Sequence, residues 1–383
     1  MAVELIYKSK YSGKPVVVRA PGRINLIGEH TDYNGGFVLP CAIDKYVYVA
    51  AGRNEEERIR LYALQFGDYE CELEKLKPLE SCSWQNYVLG VVAQLQMRGH
   101  NIGGFNAVID GDIPIGAGLS SWAAMECAIA YALNVLFELN LSKMDIVDIA
   151  QAAEHNFAGV QCGVMDQFAS VFSKKNQLIR LDCRSMEHEH VSLMLAGYKI
   201  LLLNTNVKHN LASSAYNQRR AECEQGLKWV QELYPEVESL RDVTSKMLYD
   251  AVFTRDMTVF RRCSYVIEEN DRLLKGCEDL AAGRLEDFGK KMFATHRGLR
   301  DYYEVSCEEL DYLVYAVSDH PAVLGARMMG GGFGGCTINI VKEDAVEELI
   351  ESLSERYMKD MRKKLTAYVA ETANGVEEYE DRK

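Results

Sequence analysis

Residues Pro114–Glu126 form a glycine-rich segment that leads directly into an apolar, helix-forming run. Glycines at positions 116 and 118 allow positive φ and leave backbone amides uncovered, so an anion can approach them. Ser120 and Ser121 are residue types that cap a helix N-terminus, which attracts phosphate through its free N–H groups and its dipole. The segment predicts an anion-binding loop. A tight strand-to-helix turn explains the same residues, because the Walker lysine and the third glycine of a dinucleotide fingerprint are absent.

The segment Arg23–Gly36 concentrates polar chemistry between glycines. It holds the guanidinium of Arg23, the carboxylates of Glu29 and Asp32, and the imidazole of His30. Carboxylates accept hydrogen bonds from hydroxyl groups, whereas Arg and His can donate them, so this set suits a polyhydroxylated ligand. A solvated, charged loop is the alternative interpretation.

A single carboxylate, Asp166, lies among apolar residues in the segment Gly159–Phe168. A desolvated carboxylate is costly unless it is paired, which favours a functional position near Arg23 or near a substrate hydroxyl. The alternative is an aspartate that only caps a helix.

The elements that must position these segments follow from hydrophobic periodicity. Strands are predicted at 16–19, 46–51, 106–110, 177–182, 198–204 and 336–341. Helices are predicted at 120–139, 143–157, 280–299, 307–317 and 344–365, with a longer helical region at 213–270. The mixture indicates an α+β fold and disfavours a doubly wound nucleotide fold. We place a domain boundary between a strand-and-loop part, 1–196, and a helix-rich part, 197–383.

The composition narrows the class of protein. A chain of 383 residues suggests two domains, and a net charge of −13 argues against nucleic acid and anionic membranes as partners. No apolar run is long enough to span a bilayer and no signal-peptide pattern is present, which predicts a cytoplasmic protein. The 11 scattered cysteines are expected to be reduced. The acidic residues 377–381 are expected to form a solvated terminus.

Three glycine-containing motifs occur in the order found in the GHMP kinase superfamily of small-molecule kinases, and the chain most resembles its galactokinase branch. Arg23–Gly36 resembles the sugar-recognition signature, Pro114–Ala124 the phosphate loop, and Gly325–Thr337 the third glycine motif. Three further segments are similar to that branch: Asn204–His209, Ser213–Arg220 and Arg300–Leu310.

This resemblance implies a two-domain fold with the active site between the domains. It also implies ATP-dependent phosphorylation of D-galactose at the C1 hydroxyl, which gives α-D-galactose 1-phosphate. Galactose and ATP are the implied ligands and Mg²⁺ the implied metal, with no obligate protein partner. A kinase for a related sugar, such as N-acetylgalactosamine or arabinose, is a second interpretation.

The resemblance also implies residue roles. Asp166 matches the catalytic aspartate, which accepts or orients the C1 proton, and Arg23 matches the arginine beside it. The sugar hydroxyls would be held by Arg23, Glu29, His30, Asp32, Gly163, Asp166 and Tyr216. The ATP phosphates would be wrapped by Gly116, Ala117, Gly118, Leu119, Ser120 and Ser121. Glu154 matches the acidic magnesium ligand.

The chain departs from the family pattern at Trp122, where the phosphate loop carries a third serine whose hydroxyl is a magnesium ligand. An indole has one N–H donor and no lone pair for a hard cation. Mg²⁺ would then depend on Glu154, water and ATP oxygens. The ring could crowd the phosphates, or lie on an apolar neighbour and leave room for water. A galactose- and ATP-binding regulator with little catalysis is a third interpretation of this departure.

Overall fold

A computed structural model describes residues 2–74, 76–80, 83–114, 116–207 and 212–380, with the backbone alone at 212–214. Lys208 and His209, which belong to one of the family-like segments, lie outside the described residues. In the part of the chain that is described, no helix is long and apolar enough to cross a membrane.

The first sheet carries the segments with predicted chemistry. Its strands are β1 (Val16–Asn25), β3 (Pro40–Arg53), β4 (Arg58–Ala63), β5 (Gly67–Glu72), β6 (Phe105–Gly111) and β13 (Glu377–Glu378). Their order is β13-β1-β3-β6-β4-β5, in which only the β4–β6 pair is parallel. The chain therefore returns at its far end to the sheet in which it began.

The remaining strands form two smaller antiparallel sheets. One has the order β2-β7-β8 and the other β10-β11-β9-β12. Their bounds are β2 Phe37–Val38, β7 Gln177–Asp182, β8 His188–Ser192, β9 Tyr198–Asn204, β10 Val323–Met328, β11 Cys336–Lys342 and β12 Thr366–Ala370. The strands predicted at 177–182 and 198–204 are confirmed at both ends.

The helices cover the sheets and fill the second half of the chain. Their bounds are α1 Ala2–Lys10, α2 Gln85–Met97, α3 Ser121–Phe137, α4 Lys143–Ala153, α5 Met165–Phe172, α6 Ala212–Leu233, α7 Ser245–Val252, α8 Met257–Ala281, α9 Leu285–Gly298, α10 Glu308–Val317 and α11 Val346–Met361. One π-helical turn, Glu154–Ala158, follows α4, and another, Leu299–Tyr303, follows α9. The helix predicted at 143–157 thus changes hydrogen-bond pattern at Glu154, and the helical region predicted at 213–270 contains three separate helices.

The central core unites both parts of the chain. Helix α3 packs against β1 and β3, and most of its buried residues lie in one cluster with Leu273, Phe288 and Ile338 from the second part. The observed architecture is the mixed α and β type predicted from periodicity. The predicted boundary near residue 196 falls between β8 and β9, and side chains from both sides of it share this core.

The C-terminal acidic segment differs from its prediction in its backbone. Residues Glu377 and Glu378 pair with Arg19 and Val18 of β1, and Arg19 Nε donates to Glu377 at 2.8 Å. The two side chains stay accessible to solvent, as expected, since Glu378 is exposed and the Glu377 side chain is 37% exposed. Their backbone, however, is ordered as a strand, because the edge of β1 offers unpaired backbone groups and a nearby cation.

Candidate active site

Strand β1 delivers Arg23 to the phosphate loop through a local irregularity. The β1–β3 register shifts between Pro21 and Arg23, and the Arg23 amide donates to the Leu119 carbonyl at 3.1 Å. A Cβ on Gly22 would come 2.7 Å from that same carbonyl. Glycine at position 22 therefore allows β1 to approach the phosphate loop this closely.

The guanidinium of Arg23 and the carboxylate of Asp166 form a bidentate pair. Nε lies 2.7 Å from Oδ1 and Nη2 lies 2.9 Å from Oδ2, while Nη1 donates to the Gly118 carbonyl at 2.7 Å. Arg23 is 5% exposed, and the Asp166 side chain is 25% exposed. The predicted proximity of Asp166 to Arg23 is confirmed. Val164, not Asp166, is the N-cap residue of α5.

Ser120 differs from its predicted role as a side-chain helix cap. Its backbone is left-handed, with φ 59° and ψ 46°, and its side chain makes no capping hydrogen bond. The hydroxyl instead donates to Asp166 Oδ2 at 2.5 Å. A hydrogen bond to a carboxylate is stronger than one between neutral groups. The Ser120 hydroxyl therefore donates to Asp166 and does not accept from a backbone N–H of the helix. The helix itself begins at Ser121.

Two glycine-rich loops face each other across a cavity of about 520 Å³. Gly116 and Gly118 have φ of 75° and 76°, values that favour glycine. Gly330 lies opposite, because a Cβ on it would meet the Gly118 carbonyl at 3.4 Å. The lining comprises Arg23, Pro114, Gly116, Gly118, Leu119, Ser120, Ser121, Trp122, Asp166, Val207, Met329, Gly330, Gly331, Gly332, Gly334 and Gly335. Ala117 is fully buried and is not among these lining residues.

Trp122 lies with its ring against aromatic neighbours. The indole stacks on Tyr87 with centroids 4.5 Å apart and planes within 2°, and Phe66 lies 6.4 Å away. Of the two placements considered for this ring, the structure has the one on an apolar neighbour. Trp122 also lines a small apolar cavity of about 60 Å³ with Phe66, Ile109 and Met125. This cavity shares Ser121 and Trp122 with the glycine-lined one.

A second polar cavity, of about 170 Å³, brings together every residue predicted to hold a sugar. The lining comprises Arg23, Glu29, His30, Asp32, Glu154, Val160, Cys162, Gly163, Met165, Asp166, Tyr216, Gly330 and Gly331. These residues come from β1, the loop after it, the π-helical turn, the segment between that turn and α5, α5 itself, α6 and the third glycine motif. The sequence segments that resembled separate motifs therefore meet at one place.

Gly163 is required by its distance from Asp32. A Cβ on Gly163 would lie 1.8 Å from Asp32 Oδ2, which no side chain could tolerate without displacement. Burial, followed by the charge of Asp166, raises the pKa of Asp32 to about 7. The Asp32 carboxyl group therefore lies in close contact with the Gly163 backbone, and it gains or loses its proton near neutral pH.

Glu29 is held by Arg327, a residue that the sequence analysis did not single out. Glu29 accepts from Gly330 N at 2.6 Å, from Asn25 Nδ2 at 2.7 Å and from Arg327 Nη2 at 3.2 Å. Burial opposes ionisation, but Arg327 and Arg23 hold the pKa of Glu29 below its usual range. Arg327 is fully buried. Glu29 therefore anchors the third glycine motif in addition to facing the cavity.

Glu154 opens the π-helical turn and is linked to a second buried carboxyl group. Gln167 Nε2 donates to Glu154 Oε2 at 2.7 Å and to Glu126 Oε2 at 3.3 Å. Burial and the Asp166 charge raise the pKa of Glu154 to about 7, and burial raises the pKa of Glu126 well above its usual range. Glu126 was missed, although a lone charged residue in the apolar helix α3 was a usable signal.

Family models match three stretches of the chain. The galactokinase galactose-binding signature matches residues 6–53, the GHMP kinase N-terminal domain matches 86–174, and the GHMP kinase C-terminal domain matches 277–359. The galactokinase of Thermotoga maritima is 43% identical over 360 residues, which cover 94% of this chain and 99% of that protein. The galactokinase of Clostridium acetobutylicum is 42% identical over 377 residues, covering 97% and 95%.

Solved structures show the same architecture. The crystal structure of Lactococcus lactis galactokinase complexed with galactose superposes with a TM-score of 0.94 at 34% identity, covering 99% of both chains. Mevalonate kinase from Methanococcus jannaschii superposes with a TM-score of 0.68 at 19% identity, covering 94% of this chain and 99% of that one. The second likeness supports the fold alone.

Proposed function

The chain belongs to the galactokinase family of GHMP kinases, and from this we propose how its residues transfer a phosphoryl group from ATP to the C1 hydroxyl of D-galactose. The product is α-D-galactose 1-phosphate. A regulator without catalysis and a kinase for another sugar are not favoured, because the galactokinase relatives match nearly the whole chain.

One observation carries the assignment of roles. The two polar cavities share Arg23, Asp166, Gly330 and Gly331. A sugar in the smaller cavity and a nucleotide phosphate in the larger one would meet at the Arg23–Asp166 pair. Phosphoryl transfer depends mainly on positioning and charge stabilisation, so a shared junction of this kind is what the reaction needs.

We assign Asp166 to the C1 hydroxyl of the sugar. Arg23 and Ser120 hold both of its carboxylate oxygens by donated hydrogen bonds, which fixes the direction in which it can accept a further one. The C1 oxygen forms the new bond to the γ-phosphorus as the bond to the ADP oxygen breaks. Arg23 lines both cavities and stabilises negative charge on the transferring group.

The larger cavity fits a nucleotide bound with Mg²⁺. Among its described lining residues, Arg23 is the one cationic side chain, and it is already paired with Asp166. Nucleotide phosphates placed there need further positive charge. Glu154, which lines the adjoining smaller cavity and not the larger one, would supply a carboxylate for Mg²⁺, and the metal would neutralise charge on the phosphate oxygens. The loop residues 116–121 would surround the phosphates, and the apolar cavity beside Trp122 would receive the base.

We expect the reaction to take place in the cytoplasm. The ten described cysteines are all free thiols, as is usual for proteins of a reducing compartment. This location stays a prediction.

A steady-state assay of ADP release tests the proposal. We expect turnover with galactose and MgATP, with N-acetylgalactosamine and arabinose giving lower kcat/KM. Asp166→Asn should lose about a hundredfold to ten-thousandfold in kcat, while the exposed Asp148→Asn on α4 should match the parent chain. Full activity in Asp166→Asn, or galactose binding without turnover in the parent chain, would contradict the proposal.

A further inference from the structure

The loop 26–36 joins β1 to β2 and carries three of the side chains that line the smaller polar cavity: Glu29, His30 and Asp32. It contains one short 3-10 turn, Asp32–Asn34. A loop of this length keeps a single shape only if its backbone groups have fixed partners elsewhere in the fold. Helix α8, from the second part of the chain, supplies such partners.

Two consecutive side chains of α8 bind the two ends of this loop. Glu269 Oε1 accepts a hydrogen bond from the Gly28 amide at 2.8 Å. Asn270 Oδ1 accepts one from the amide of Phe37, the first residue of β2, also at 2.8 Å. Glu269 is 0% exposed and Asn270 is 5% exposed. One helix therefore holds the loop where it begins and where it ends.

Close packing accompanies these hydrogen bonds. A Cβ on Gly36 would lie 2.4 Å from Asn270 Oδ1, and a Cβ on Gly28 would lie 2.5 Å from Leu273 Cδ1. Gly28 also has φ of 91°, a value that favours glycine. The two glycines therefore allow α8 to approach both ends of the loop.

The loop is also closed on itself. Thr31 Oγ1 lies 2.9 Å from the Gly28 carbonyl oxygen and 2.6 Å from the Phe37 carbonyl oxygen. The Gly36 amide donates to the Thr31 carbonyl at 2.9 Å. Because the two ends are joined through Thr31, a contact that fixes one end also restricts the residues between them.

The Glu269 carboxylate has partners that offset the cost of its burial. Arg272 on the same helix pairs with Glu269 Oε2, and Thr295 Oγ1 on α9 donates to Oε1 at 2.9 Å. A backbone amide forms a stronger hydrogen bond with a carboxylate than with a neutral oxygen. The paired charge of Glu269 therefore provides a firm acceptor for the Gly28 amide.

We infer that Glu269 and Asn270 are positioning residues for the sugar, since they hold both ends of the loop 26–36 and keep its cavity-facing side chains in place before a ligand binds. The identity of the ligand rests on the proposed function, whereas the hold on the loop does not. Releasing either end would add the cost of ordering the loop to the binding of the sugar. No residue of this loop is among the described residues that line the larger cavity, so nucleotide binding should not carry that cost.

The hold on the loop can be measured without ligand or turnover. Hydrogen exchange, followed by mass spectrometry of peptides that cover 26–37, should be slow in the parent chain. It should become about tenfold faster in Glu269→Ala and in Asn270→Ala, as expected for one lost hydrogen bond. The control Asn134→Ala removes a side chain of α3 that accepts from the Leu141 amide at 2.9 Å and lines neither polar cavity. It should leave exchange in 26–37 unchanged.

Binding measurements separate positioning from stability. By calorimetry, both α8 alanine variants should raise the Kd for galactose about three- to tenfold and leave the Kd for MgADP unchanged. Their kcat at saturating galactose should stay within about twofold of the parent value, because the ordering cost is then already met. Glu269→Gln keeps an acceptor oxygen for the Gly28 amide but leaves Arg272 without its buried partner. It should therefore unfold at a lower urea concentration and still bind galactose like the parent chain.

Three results would overturn the inference. One is unchanged loop exchange in both α8 alanine variants. Another is equal weakening of galactose and MgADP binding, which general destabilisation produces. The third is galactose binding by Glu269→Gln that is as weak as in Glu269→Ala. If Glu269→Ala does not fold, Asn270→Ala and Asn270→Asp, which keeps an acceptor for the Phe37 amide, give the same comparison. Slow loop exchange in a parent chain that does not bind galactose would instead refute the proposed function.

Discussion

The indole of Trp122 lies flat on the phenol of Tyr87, with the ring centroids 4.5 Å apart and the planes within 2°. This contact turns the ring toward the apolar side of the loop. The family resemblance implies a magnesium-binding serine at this position, and that role stays a prediction. The stacking holds the side chain between the glycine-lined cavity and the apolar cavity.

Trp122→Ser introduces a hydroxyl at this position. We expect the Mg²⁺ concentration for half-maximal activity to fall by about tenfold, or kcat to rise, because one ligand is added to the metal. The control Trp122→Ala removes the same ring without adding a hydroxyl. Both variants should lose about 0.5–1.5 kcal/mol of stability from the aromatic pair, measured by urea unfolding. If neither variant changes the Mg²⁺ titration, Trp122 is a neutral replacement.

Gly163→Ala places a methyl group against Asp32 Oδ2. We expect the KM for galactose to rise and the free energy of unfolding to fall by about 1–3 kcal/mol, as for other overpacked sites. Gly159→Ala is the matched control, because Gly159 has φ of 75° but open space around its Cβ position. It should cost about 1 kcal/mol from backbone strain alone and leave the KM for galactose unchanged. Equal effects of the two variants on this KM would contradict a role for the close approach.

Asp32 should make stability fall as pH rises toward neutrality. Its folded-state pKa of about 7 exceeds the unfolded value of 3.8, so the folded protein holds more protons between these limits. The slope of unfolding free energy against pH is then negative, by at most about 1.4 kcal/mol per pH unit. His30, whose pKa is lowered to about 4, contributes the opposite slope between pH 4 and 6.5.

Asp32→Asn isolates the contribution of Asp32. The unfolding free energy of the variant minus that of the parent chain should increase as pH rises from about 4.5 to 7, because only the parent loses stability over this range. Above pH 7 the difference should stay constant. Urea titrations without ligand at several pH values provide the measurement. A difference that stays constant over this range would show that Asp32 titrates at its ordinary pKa.

Glu126→Gln should behave much like the parent chain at neutral pH. Burial raises the pKa of Glu126 well above its usual range, so glutamine copies the neutral acid and still accepts from Gln167. Glu126→Ala should lose about 2–5 kcal/mol through an unfilled cavity and the lost hydrogen bond. Thermal unfolding and the galactose assay, run on both variants, distinguish the two effects. A large loss of kcat in stable Glu126→Gln would mean that an ionised carboxylate is needed there.

The local sequence pattern was enough to predict several strands and helices and the residue types of the candidate active site. Strands β7 and β9 were predicted to the residue because each is an uninterrupted run of strand-forming residues. The three glycine-containing motifs and the segment Gly159–Phe168 contain Arg23, Asp166 and other residues that line the two adjoining cavities in the fold. Helix ends were less accurate where a π-helical turn or a left-handed residue interrupts the pattern, as at Glu154 and Ser120.

The sequence by itself determined which chemical groups this protein has for its reaction: a guanidinium, several carboxylates and an imidazole, set between glycines that leave backbone amides open. Only the tertiary structure decided which partners those groups have. Arg327 reaches Glu29 across 298 positions of chain, and Tyr303 reaches Tyr33 across 270. Such pairings depend on how helices and sheets pack, and no local periodicity encodes them. For the same reason, the sequence could name Trp122 as unusual but could not place its ring on Tyr87.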